Sequence, residues 1–334
     1  MDLRKRTIPY VNPIQRIIRL APLLLLWGCA TVLDEDGALA IVPYELKDDG
    51  RIIVETRVDG QGPYAFALDT GASITVVLEH LQHELALEPV PGKLVRIHGA
   101  AASGHFPLMN IDQVEVGSTV WSRPRIASMP GETTAGHRID GILGVDFLRR
   151  YAVGFSTGDR VVRLYPPDLV GQRAYRGWAA VPLKPEFIGT SGSAIYYLDI
   201  TIGDQEIPAV FDLGAGVNMI NWPAARSLGV VARDPRDESL LSGAIESIEV
   251  VGRTEIGEVR TGRVRWQDED FSIVELEIFE KLNRAATPCA ILGAGLFTQR
   301  DFIIDFARTR LLVKAAMDEM DVTGTGDSSQ LLLL

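Results

Sequence analysis

A chain of 334 residues, 46% of them hydrophobic, is long enough to build two domains with separate cores. Its formal net charge of −11 at pH 7 argues against nucleic acid as a partner, because an acidic surface repels a phosphate backbone. The 32 glycines and 18 prolines, set among short Val/Ile-rich runs, point to β structure with frequent turns rather than a helical bundle, and no heptad recurs.

Arg4, Lys5, Arg6, Arg16 and Arg19 lead into "LAPLLLLWGCA" at residues 20–30, the pattern of an export signal. The apolar stretch is far below the ~20 residues that a spanning helix needs, so a transmembrane anchor is not expected. Leu26-Trp27-Gly28-Cys29 resembles the lipobox of bacterial lipoproteins, in which the peptide is cut before Cys and the thiol carries diacylglycerol. Trp27 departs from the small or aliphatic residue usual there. An ordinary signal peptide, or a misplaced start with a chance cysteine, is the competing reading. On the lipoprotein reading, residues 1–28 are the signal peptide and Cys29 is the lipidation site. Ala30 then resembles the outer-membrane sorting pattern, which places the chain in the bacterial cell envelope, tethered to the outer membrane and facing the periplasm. With Cys29 lipidated, Cys289 stands alone and no intramolecular disulfide is available.

After a linker at 29–40, an N-terminal lobe is expected over 41–168. In "IIVETRVDGQGPYAFALDTGASITVV", residues 52–77, an alternating strand meets a turn at Asp59-Gly60, a second apolar strand follows, and Asp-x-Gly-Ala closes the unit. A helix-compatible stretch with Val77, Leu78, Leu81 and Leu85 comes next. His80 and His83 lie one turn apart on it, a spacing that could ligate a metal, but no third ligand is placed and a solvated helix face is the expectation, so no metal site is assigned. The small residues of "VRIHGAAASGHFPLM", 95–109, suit a hairpin, either a flap over a cleft or an ordinary surface hairpin. "GILGVDFLRRYAVGFSTGDRVVRLY", 141–165, ends the lobe, and an interlobe linker is expected at 169–178.

A C-terminal lobe over 179–316 repeats the plan. "IYYLDITIGDQEIPAVFDLGAGVNMI", 195–220, parallels 52–77, with Ala224, Ala225 and Leu228 in the helical position. A second hairpin is expected near 240–252. Asp268-Glu269-Asp270 is read as a solvated loop that would favour basic peptides if it bordered a cleft. "AILGAGLFTQRDFIIDFARTRLLV", 290–313, matches 141–165, and 317–334 is a tail. From Asp69 to Gly144 is 75 residues and from Asp212 to Gly293 is 81. Two separate blocks in equal order at nearly equal spacing indicate an internal duplication.

Leu68-Asp69-Thr70-Gly71-Ala72-Ser73, followed at this distance by Ile142-Leu143-Gly144, resembles the retropepsin-like aspartic proteases over roughly residues 40–315, twice. The resemblance implies an all-β, bilobal acid-protease fold: two duplicated β-barrel lobes with short helices and the cleft between them, in a monomer with pseudo-twofold symmetry. It implies an aspartic endopeptidase acting on peptide or protein substrates, with Asp69 and Asp212 catalytic and no cofactor. The chemistry is independent of the resemblance. Hydrolysis without a covalent intermediate needs one carboxylate to deprotonate a water and a proton to deliver to the scissile carbonyl, and two close aspartates that share one proton can supply both. Gly71 is expected to allow a tight turn at Asp69, and Ser73 to donate a hydrogen bond to its carboxylate. In the family, Thr70 joins its counterpart across the lobes, and the strands Ile142-Leu143-Gly144 and Ile291-Leu292-Gly293 brace the two loops.

The second loop keeps Asp212, Gly214 and Ala215, but Leu213 stands where threonine would be and Gly216 where serine would be. Leucine cannot complete the hydroxyl lock, which leaves Thr70 to bond backbone or water. Loss of the serine donor suggests that Asp69 is the ionised member of the pair and Asp212 the protonated one. Two alternatives stay open: a non-catalytic peptide-binding lipoprotein, and a protease formed by first-lobe homodimers with a structural second lobe.

Overall fold

The computed structural model describes residues 37–98, 103–131, 139–168, 170, 175, 177–188, 193–230, 240–242 and 247–315. The expected signal peptide, Cys29, most of the 29–40 linker, much of the interlobe linker, the tail and the hairpin tips at 99–102 and 243–246 lie outside these residues. Among the described residues no helix is long and apolar enough to cross a membrane, and Cys289 is a buried free thiol.

The first half contains β1 (Ala40–Leu46), β2 (Ile52–Val58), β3 (Gln61–Leu68), β4 (Val76–Leu78), α1 (Glu79–Glu84), β5 (Pro89–His98), β6 (Ser103–Met109), β7 (Gln113–Val116), β8 (Thr119–Ser122), β9 (Ile126–Met129), β10 (Gly141–Leu143), α2 (Val145–Leu148), β11 (Ala152–Ser156) and β12 (Val161–Tyr165). The second contains β13 (Trp178–Pro182), β14 (Lys184–Ile188), β15 (Ser193–Ile202), β16 (Gln205–Phe211), β17 (Asn218–Ile220), α3 (Trp222–Ser227), β18 (Leu240–Ser242), β19 (Ser247–Thr261), β20 (Val264–Val274), α4 (Glu277–Lys281), β21 (Ala290–Leu292), α5 (Ala294–Phe297), β22 (Phe302–Asp305) and β23 (Arg310–Lys314). The fold is all-β with short helices, in two sheet bodies, as the alternating runs and turn residues predict.

The alternation is literal where one face meets water: β1 buries Ala40, Val42 and Tyr44 and exposes the residues between them. The β2–β3 hairpin turns on Asp59 (φ 50°) and Gly60 (φ 76°), the left-handed pair that a two-residue hairpin loop demands. α3 starts where Asn221 accepts a bond from the Ala224 amide at 3.0 Å, with Pro223 in its first turn. Two sequence expectations need correction. Val77 and Leu78 belong to β4, buried between β10 and β9, so the helix begins only at Glu79. Asp268-Glu269-Asp270 is not a loop: it lies inside β20, paired with β19, because buried Trp266 and Phe271 on either side carry the acidic run through as strand.

The larger sheet runs β13-β23-β22-β11-β12-β1-β2-β3-β10-β4-β9-β6-β5, with the β7–β8 hairpin attached to β2; the smaller runs β14-β15-β16-β21-β17-β20-β19-β18. The closing strands of the second half therefore join the sheet of the first. β11 and β22 pair antiparallel from Ala152↔Asp305 to Phe155↔Phe302, and the rings of that last pair stack at 4.3 Å. One apolar cluster runs from Phe66 and Leu143 through Phe155 and Phe302 to Phe211 and Leu292. Burial of each such side chain is worth roughly 1.5–3 kcal/mol, so this shared core holds the halves in one register.

Candidate active site

Both aspartates leave the end of a central strand by the same construction. β10 lies parallel to β3, with Leu143 opposite Leu68, and the Asp69 amide donates to Leu143 O at 3.1 Å. β21 lies parallel to β16, with Leu292 opposite Phe211, and the Asp212 amide donates to Leu292 O, also at 3.1 Å. Ile142-Leu143-Gly144 and Ile291-Leu292-Gly293 thus lie where bracing strands were expected. Each ends in a glycine for a steric reason. A Cβ on Gly144 would come within 2.8 Å of Ala72 O, and one on Gly293 within 2.7 Å of Ala215 O. These same two carbonyls accept the Val145 and Ala294 amides at 2.8 Å, which pins each loop onto the helix that follows.

Asp69 Oδ1 accepts the amides of Gly71 at 2.7 Å and Ala72 at 2.8 Å. Asp212 Oδ1 accepts those of Gly214 at 2.9 Å and Ala215 at 3.2 Å. The two carboxyls lie within hydrogen-bonding reach of each other. Their closeness depends on a reciprocal pair of glycines: a Cβ on Gly71 would sit 2.6 Å from Asp212 Oδ2, and one on Gly214 only 2.3 Å from Asp69 Cγ. Neither glycine has the left-handed φ of a tight turn, so the role expected for Gly71 is corrected: it makes room for the opposite carboxyl.

Burial raises both carboxyl pKa values, and at Asp69 the facing Asp212 raises it further, to about 8; the loop amides oppose the shift at both residues without cancelling it. The pair therefore keeps a proton at neutral pH. Ser73 makes no hydrogen bond to Asp69, whose donors within its own loop are the backbone amides of Gly71 and Ala72. The expected asymmetry therefore does not come from Ser73, and it runs the other way: the Gly71 amide and the Asp69 carboxyl both favour the charged form of Asp212, while the charge of Asp212 favours the protonated form of Asp69.

Across the halves, Thr70 Oγ1 donates to Phe211 O at 2.8 Å and accepts from the Leu213 amide at 2.9 Å, fully buried. The lock runs from one threonine to two backbone groups. Leu213 is fully buried and joins the core shared by the halves, so the replaced threonine is exchanged for packing.

A family model described as Aspartyl protease matches residues 54–147 and again 198–296, each match holding one Asp loop and one bracing strand. The chain belongs to the aspartyl protease family. No curated protein matches it.

Within this aspartyl protease fold, several supports escaped the sequence reading. Thr75 and Asn218, equivalent in the two copies, both accept from the glycine that ends the bracing strand: Gly144 N to Thr75 Oγ1 at 3.1 Å and Gly293 N to Asn218 Oδ1 at 3.0 Å. Thr75 in turn donates from its amide and its hydroxyl to Asp146, at 2.9 and 2.7 Å, while the Asn218 side chain reaches Glu269 at 3.4 Å. Aligning the two loops residue by residue exposes the Thr75/Asn218 pair. His80 does not face His83; its Nε2 lies 2.9 Å from Asp140 Oδ1, and His83 is exposed beside Glu79. Among the described residues no cluster of three His, Cys, Asp or Glu could hold a metal ion. The hairpin expected at 95–109 is formed by β5 and β6, and Ser103 Oγ donates to Glu277 Oε1 of the second half at 3.1 Å.

Proposed function

We propose that the protein is an aspartic endopeptidase whose Asp69–Asp212 pair activates one water for attack on a peptide bond. The observation that carries this reading is the reciprocal fit of each carboxyl against the other loop's glycine. Such a fit is costly for two ionised acids and tolerable when they share one proton, which is the charge state that water activation needs. The ionised carboxylate takes a proton from the water as its oxygen bonds to the scissile carbon, and the protonated partner donates to the carbonyl oxygen. Collapse of the resulting gem-diol returns a proton to the departing amine, and the pair regains its starting charge. Peptide and protein chains are the substrates, and the β5–β6 hairpin, which touches Glu277, serves as a flap over them.

The single-chain dyad is favoured over a first-lobe homodimer because Thr70 spends both of its hydroxyl bonds on the second loop of the same chain. The envelope location, with Cys29 carrying lipid, is part of the proposal and is supported by the segment at 20–30. The test is incubation of the purified chain and its Asp69→Asn variant with a diverse peptide pool across pH, with new termini read by mass spectrometry. Cleavage by wild type alone supports the reading. Binding without new termini at any pH would make the chain a peptide-binding protein.

A further inference from the structure

The position of the missing serine is already filled. A Cβ on Gly216 would fall 1.5 Å from the carbonyl oxygen of Asp49, at the tip of the β1–β2 hairpin of the first half. Contact is mutual: Gly50, at φ +83°, faces the Gly216 carbonyl so closely that its own Cβ would lie 2.6 Å from that oxygen. The tip is stiff. Gly50 N donates to Lys47 O at 2.9 Å and Lys47 N to Arg51 O at 3.0 Å. The Arg51 guanidinium grips the Asp49 carboxylate through Nε at 2.8 Å and a terminal nitrogen at 2.5 Å, while its amide adds a bond at 3.2 Å. Both guanidinium bonds converge on Asp49 Oδ2 and the amide takes Oδ1, so one residue holds both oxygens of the carboxylate by charge-assisted and backbone bonds.

We infer that the turn Lys47–Arg51 is the positioning element of the Asp212 loop, with Arg51 acting through Asp49 to press the turn's backbone onto Gly216. This rests on the reading of Asp69 and Asp212 as a hydrolytic pair. Gly216 is then a fitted contact rather than a mark of decay: the Asp49 carbonyl of the first lobe occupies the space that a side chain at residue 216 would need. The charged groups on the turn are Lys47, which pairs with Glu45, and Asp48, Asp49 and Arg51; at the dyad, Asp69 and Asp212 face one another.

The test is Arg51→Ala in the full chain, which loosens the turn without adding bulk. The upper titration of the dyad is followed by carboxyl carbon NMR, with signals assigned through Asp69→Asn and Asp212→Asn. A relaxed loop separates the carboxyls and weakens their repulsion, so the upper titration moves down by about half a pH unit or more. Loss of a cation by itself would move it up, so the sign separates positioning from simple electrostatics. On any cleaved peptide, kcat falls roughly 10- to 100-fold with little change in KM, as expected for a misplaced catalytic group, and Arg51→Lys recovers part of both effects. Gly216→Ala moves the titration in the same direction and further. A folded Arg51→Ala chain whose upper titration is unchanged or raised overturns the inference, whatever the fate of Gly216→Ala. Because the titration needs no turnover, a wild type that cleaves nothing while Arg51→Ala still shifts would refute the hydrolytic reading and leave the positioning role standing.

Discussion

The loops at 68–75 and 211–218 descend from one sequence pattern, yet they meet different neighbours. In the first, Thr70 reaches across to the other loop, and Ser73 leaves the carboxylate to backbone donors. In the second, Leu213 turns into the core and Gly216 lies under the Asp49 carbonyl. The carboxylates themselves share a frame of two amides from the same loop, a strand carbonyl on their own N–H and the opposite loop's glycine, and differ in that the Gly71 amide also favours the charged form of Asp212. The aspartates and the glycines that face them across the loops stay matched, while the equivalent pairs Thr70/Leu213 and Ser73/Gly216 have diverged with the neighbours they meet.

The matched positions carry the largest expected effects. Gly71→Ala and Gly214→Ala each drive a methyl group into the opposite carboxyl, and both are expected to lower kcat/KM at least ~100-fold, through displacement of a reacting group. Near-equal losses in the two variants would sharpen the symmetry; a large loss in one alone would break it.

Substitutions at the divergent positions are expected to be unequal. Gly216→Ser, the change that restores the family word, should destabilise the fold by ~3 kcal/mol or more, because its side chain collides with main chain rather than with a side chain that can move. Ser73→Gly removes no bond to Asp69 and should cost only ~1 kcal/mol, chiefly in backbone entropy, with activity within about threefold of wild type. Thr70→Val leaves the buried Phe211 carbonyl and Leu213 amide without their partner and should cost ~2–4 kcal/mol in chemical denaturation.

The last effect is a pH signature. Carboxyl pKa values raised above the unfolded ~3.9 mean that the folded state holds protons more tightly, so the pair's penalty is absent below that value and grows as pH rises toward about 8. Asp69→Asn should therefore match wild-type stability near pH 4 and exceed it at pH 9, by an amount on the order of 1–3 kcal/mol. The same shared proton predicts peptide cleavage that declines as pH passes about 8, where the pair loses its acid.

Much of this site was legible in the sequence because it is local. Asp69 and Asp212, their glycines and the two Ile-Leu-Gly strands lie in short repeated words, and the duplication supplied the register between them. What sequence could not supply were the reasons that run between lobes. Gly71 looks like a turn residue until the Asp212 carboxyl is seen against it, and Ser73 looks like a donor until the amides of Gly71 and Ala72 are seen to fill that role. The Asp49–Gly216 contact joins residues far apart in the chain, and no periodicity encodes it. The acidic residues of β20 read as a loop because charge outweighs pattern over three residues, whereas the buried Trp266 and Phe271 decide the strand.

The central claim is that the altered second loop is half of one working dyad, and Asp212→Asn tests it most directly. Cleavage of a peptide that wild type cuts should vanish in this variant, with its fold and its size in solution the same as those of wild type. Wild-type activity per molecule should not change with protein concentration. An Asp212→Asn chain that cleaves at the wild-type rate would contradict the account and assign the chemistry to the first loop alone.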